Sequence, residues 1–134
     1  MQMKTTGELL QKIKKMKKNE IGLLAGKDFS SPQIHIYLTD LLNGYGISNK
    51  DFFDKMELER SYGYQILNGR RRSSRELLIK TAIYLHLDLD ETQRLLKIGN
   101  REILYPRVRA DAVAIFVIEN ELSLSEYQEL IDNI

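Results

Sequence analysis

Between Glu59 and Leu78 the chain reads ERSYGYQILNGRRRSSRELL. Arg60, Ser61, Tyr64 and Gln65 precede an Asn68-Gly69 pair, and Arg70, Arg71 and Arg72 follow it. Arginine presents five N–H donors in a planar fork and no acceptor, and glutamine and asparagine add amide donors and acceptors. Such a set suits an acceptor-rich ligand, whether phosphate oxygens or the edges of bases. The plainer alternative is a core helix that ends in a solvated basic loop. Both alternatives stand at this point, and the elements around the stretch bear on the choice.

Other chemistries find little support. There is no cysteine, which excludes disulfides and thiolate metal sites. The two histidines, His35 and His86, are too few for a histidine-rich metal site. His86 falls at the end of an apolar segment, where a cation favours a helix C-terminus. Among the acid clusters, Asp88 fits a helix cap, with Asp90 and Glu91 in the first turn. The DLDE stretch lacks the glycine and terminal glutamate of a calcium loop. No glycine-rich phosphate loop, nucleophile elbow or HExxH occurs. A protein without catalysis, metal or cofactor is expected. No apolar run approaches a membrane span, and the N-terminus is charged early, so a soluble cytoplasmic chain is expected.

The formal net charge of +1 hides a strong asymmetry. Residues 1–18 carry six lysines against Glu8, a net of +5. Residues 60–75 carry five arginines and no acid, again +5. Residues 110–134 carry six acids and no lysine or arginine, a net of −6. Clustered basic residues suit a polyanion, and the acidic end suits a basic clamp or partner.

Apolar spacing and capping signals predict helices almost throughout. Thr5/Glu8, Ser30/Gln33, Ser73/Glu76 and Ser123/Glu126 fit capping boxes, and Ser48/Asp51 fits one with a shorter acid. The expected helices are 5–18, 32–44, 49–56, 60–68, 74–86, 89–98, 107–120 and 124–133. Pro32 suits a first turn, and Gly69 suits the position after a helix end. AVAIFVI at 112–118 is apolar and β-branched enough for a buried strand, but the flanking Asp111 and Glu119 favour a buried helix. Residues 99–107, GNREILYPR, read as a linker. The class is all-α. Segments 49–56 and 60–68 are short and joined by about three residues, an arrangement that pushes the second helix outward.

Ile47 to Leu96 resembles the Xre-type, phage-repressor-like helix-turn-helix family. The shared pattern is an apolar-Ser-polar start at Ile47, the Ser61-Tyr62 pair, Ile66, Asn68-Gly69, a basic stretch, a serine and an apolar helix ending in LDLDE. With the preceding helix the resemblance covers about 32–98. It implies a five-helix repressor-like bundle, a bacterial or phage transcription regulator and a homodimer on double-stranded DNA. Segment 60–68 would be the recognition helix, with Arg60, Ser61, Tyr64 and Gln65 at base edges. Asn49 would touch the DNA backbone, and Asn68, Arg70, Arg71 and Arg72 the phosphates. Tyr62 would pack between the two short helices and Ile66 in the core.

Three positions depart from that pattern: Gly63, Tyr64 and Leu67. A glycine inside a helix costs about 1 kcal/mol against alanine. Either a tyrosine folds over it, or a neighbouring helix approaches closely, or Tyr64 and Leu67 form a patch for a protein partner. The domain division expected is a basic N-terminal helix and linker over 1–30, the helix-turn-helix domain over 31–99, and a two-helix C-terminal extension over 100–134. That extension suits dimerisation or partner docking. The competing function is a helical adaptor that binds a protein, such as a signalling enzyme or toxin, through Tyr64, Leu67 and the C-terminal helices.

Overall fold

The computed structural model describes residues 33–134 and, ahead of them, only Leu10 and Lys14. The expected 5–18 helix, the Thr5/Glu8 box, Ser30 and Pro32 fall outside that set. The described residues hold seven helices and no strand: α1 Ile34–Gly44, α2 Asn49–Met56, α3 Arg60–Leu67, α4 Arg75–Tyr84, α5 Leu89–Ile98, α6 Arg109–Glu119 and α7 Leu124–Asp132. AVAIFVI lies wholly within α6. No helix among the described residues is long and apolar enough to cross a membrane.

α4 is the central element. Leu77, Leu78, Ile79, Thr81, Ala82 and Ile83 are all buried, so apolar contact surrounds the helix instead of following one stripe. It packs on α2, α5, α6 and α7. The one hydroxyl in that run, on Thr81, donates to the Leu77 carbonyl at 2.8 Å, so its burial leaves no orphan donor. Leu38 and Leu42 of α1, Phe52, Phe53 and Met56 of α2, Ile66 of α3 and Leu95 and Leu96 of α5 complete one side of the core. Ala114, Val117 and Ile118 of α6 and Tyr127 of α7 complete the other.

Local chemistry sets the helix starts. Ser48, Ser123 and Asp88 accept from the backbone N–H three residues on, and Asp88 with Glu91 forms a full reciprocal box. The Ser73/Glu76 box does not form. Ser74 is the cap of α4 and accepts from Leu77 N–H at 3.0 Å, one residue later than expected. Ser73 instead turns inward, and its hydroxyl is buried without a partner.

Residues 99–108 are a docked strap rather than a free linker. Leu104 is 2% exposed. Gln93 of α5 holds it by two bonds: its amide donates to the Leu104 carbonyl at 3.0 Å, and its carbonyl accepts from Leu104 N–H at 2.8 Å. Gln33–Ile134 consequently forms one compact unit, with the 100–134 segment packed into it.

Candidate nucleic-acid interface

α2 and α3 are separated by Glu57, Leu58 and Glu59. Glu57 adopts the left-handed conformation at φ 55°, which stops α2. Leu58 N–H then donates back to the Phe53 carbonyl at 2.8 Å, and the chain re-enters a helix at Arg60.

The close approach expected as one of three accounts of Gly63 is the one observed. A Cβ at Gly63 would lie 2.5 Å from two carbons of the Phe53 ring. The missing side chain lets α3 settle directly on that ring. Tyr64 then lays its own ring edge-on against Phe53, with centroids 5.0 Å apart. The Arg60 guanidinium sits 5.7 Å from the Tyr64 ring centre. Tyr64 is therefore a packing residue that remains 41% exposed. Leu67 is half-buried against the core, so the two do not stand together as a free patch.

Tyr62 reverses its expectation. It is exposed on α3, not packed between α2 and α3. The Arg71 guanidinium covers its ring at 5.3 Å, a cation–π distance. Arg71 is also tied to α3 twice: its backbone N–H donates to the Gln65 carbonyl at 3.1 Å, and its Nε donates to Gln65 Oε1. Ile66 is in the core, as expected.

The loop is built by Asn68 and Gly69. Asn68 Oδ1 accepts from Arg70 N–H at 3.0 Å, so this side chain shapes the turn. Gly69 has φ +85° and lies against the His35 imidazole, where a Cβ would come within 2.8 Å. His35, which had no evident partner in sequence, thus packs the loop onto α1.

The five arginines of 60–75 do different things. Arg60, Arg70, Arg71 and Arg72 are exposed. Arg72 Nη2 donates to the Asn100 carbonyl at 3.3 Å, and no carboxylate among the described residues pairs with it. Arg75, the fifth arginine of the basic 60–75 cluster, is withdrawn from it. Its Nη1 and Nη2 donate to Asp111 Oδ1 and Oδ2 at 3.0 and 2.8 Å. Its remaining donors reach the Glu102 and Ile103 carbonyls at 2.9 and 3.1 Å. Burial opposes ionisation of Asp111, but Arg75 and the Tyr105 N–H outweigh it and hold this carboxyl below the ordinary aspartate range. Asn49 and Ser61 stand exposed at the starts of α2 and α3.

The arrangement brings Arg60, Ser61, Tyr62 and Arg71, with half-buried Gln65 bonded to Arg71, onto the surface of one short helix and its returning loop. Sequence spacing pointed to most of them. It missed the strap that takes Arg75, because Asp111 is 36 residues away and only the packing of α6 brings it back. Comparison with known protein families, with curated proteins and with solved structures finds no match for the chain.

Proposed function

We propose that this chain is a sequence-specific DNA-binding transcription regulator, with α2 and α3 used as a repressor-like helix-turn-helix unit. α3 enters the major groove, which at about 12 Å admits one helix. The single observation that carries the reading is the α3 surface continuous with its basic loop. Arg60, Ser61 and Gln65 share the helix with Tyr62, and Arg71 folds back onto it with Arg70 and Arg72 alongside. No acid occurs over 60–75. Among the described residues no carboxylate pairs with Arg60, Arg70, Arg71 or Arg72, whereas Arg75 is bound to Asp111. As a homodimer the protein would place two such helices about 34 Å apart, one turn of duplex.

The test is fluorescence-anisotropy titration of the full chain with random-sequence duplex at about 50 and 200 mM salt. Binding that weakens steeply with salt, and is lost when Arg70, Arg71 and Arg72 are all alanine, is the expected result. Absence of binding at the lower salt refutes it.

A second reading, the helical adaptor, draws on α6. Phe116 is 54% exposed there, with Val108 just ahead of the helix at 48%. A partner docked on those residues would be insensitive to salt, which separates the two readings.

A further inference from the structure

We propose that Arg71 is the residue that reads a base, that the base is guanine, and that Gln65 and Tyr62 are positioning residues for it. This rests on the DNA-binding reading above and changes the roles that reading would give by position, phosphate contact for Arg71 and direct base contact for Gln65.

Three independent restraints fix Arg71. Its main chain is bonded to the Gln65 carbonyl, its Nε to the Gln65 side chain, and its guanidinium carbon lies over the Tyr62 ring. A loop arginine that only meets phosphate needs none of these, because phosphate attracts a cation from many directions. Two restraints on the guanidinium and one on its main chain cost side-chain entropy, which geometry-dependent recognition repays and charge neutralisation does not.

The anchoring also selects the ligand. With Nε engaged, the free edge of Arg71 is the Nη1/Nη2 end, two parallel donor groups in one plane. Guanine presents two acceptors, O6 and N7, to the major groove in the matching spacing, and no other base shows two acceptors side by side there. Adenine is the poorer match, because its N6 amino group would meet a donor. Gln65 Oε1 spends one of its two lone pairs on Arg71, which ties the amide to the arginine and fits it to hold the guanidinium in place. Its Nε2 remains a donor that suits an acceptor beside the guanine.

The neighbouring arginines show the contrast. The Arg72 guanidinium points to the strap and reaches a main-chain carbonyl. Arg70 has its main chain held by Asn68 and stays exposed at the loop tip. These two fit phosphate contact.

The experiment selects preferred duplexes from a random pool with the full wild-type chain, then measures affinity for the selected site with guanine replaced by 7-deazaguanine, which lacks N7. The wild type is expected to select at least one invariant guanine and to bind the 7-deaza site about tenfold or more weakly. Arg71→Ala should be indifferent to that replacement. Gln65→Ala should blunt the preference for the same guanine, and not for an adenine, with its thermal melting unchanged. Arg71→Lys, which keeps the charge and loses the fork, should retain random-duplex affinity and lose the guanine preference. If Arg71→Ala weakens selected and random duplexes by one factor, and 7-deazaguanine changes nothing, Arg71 is a phosphate contact and the inference is overturned while DNA binding stands. If the wild type binds no duplex even at about 50 mM salt, the DNA-binding reading falls and the inference with it.

Discussion

Gly63 illustrates how one atom decides a residue's role. In an exposed helix, glycine to alanine gains about 1 kcal/mol. Here the added Cβ would enter the Phe53 ring, and that ring is 5% exposed and braced by Phe52 and Tyr64. The clash outweighs the propensity gain, so Gly63→Ala should destabilise by about 1–3 kcal/mol in a urea titration. Adding Phe53→Leu should recover part of that loss, because the two sites share one volume. A stabilised Gly63→Ala would mean the ring is free to move. Asp111 gives a prediction in pH. Its folded pKa lies below the unfolded one, so its stabilising contribution is complete above about 4 and disappears as pH falls further. Asp111→Asn leaves the two Arg75 bonds to this side chain weakened or lost and should cost about 2–3 kcal/mol at neutral pH. The variant's urea midpoint should also fall less than the wild type's between about pH 5 and 3.

At the scale of the elements, helix stops follow one device. Gly46, Glu57, His86, Asn100 and Glu121 all have positive φ, and the next residue's N–H bonds five residues back. That next residue is Ile47, Leu58, Leu87 or Leu122 in four of the five, each packed on or in the core, and Arg101 in the fifth. An apolar residue docking just past a left-handed stop is the Schellman pattern. Glycine marks only the first of these in sequence, so the expected stops for 74–86 and 107–120 ran one or two residues long, ending at Tyr84 and Glu119. Seven of the expected helices are present among the described residues, because apolar periodicity is local information. Which serine caps α4, and which tyrosine packs on Phe53, were not legible. Ser73 and Ser74 differ by one position and Tyr62 and Tyr64 by two, and only the placement of Phe53 and the strap distinguishes them. A left-handed non-glycine residue costs about 1–2 kcal/mol. Glu57→Gly should therefore raise stability by up to about 1 kcal/mol after the entropy glycine loses on folding. Its melting temperature is the measurement, and a fall would mean that Glu57 makes a contact worth more than its strain.

For the 33–134 unit as a whole, the 100–134 segment is part of the fold that holds the basic loop. Arg72 reaches the Asn100 carbonyl, Arg101 Nε donates to the Ser73 carbonyl at 3.1 Å, and Arg75 spans to Glu102, Ile103 and Asp111. Each of these bonds joins residues 72–75 to the strap or to α6, so the loop's position depends on chain that follows it by about thirty residues. The packing says the same. A chain ended after Gly99 loses the buried side chains of Leu104, Val117, Ile118 and Tyr127 and uncovers the α4 surface they rest on. Four such side chains contribute on the order of 6–12 kcal/mol. That matches the whole net stability of a domain this size, about 5–15 kcal/mol. The truncated chain should therefore show no cooperative thermal transition by circular dichroism, where the full chain shows one. A truncated chain that melts cooperatively would make the last 35 residues an appendage, and the arginine loop would then have to hold its place through Asn68, the Gly69–His35 contact and the ties of Arg71 to Gln65 and Tyr62.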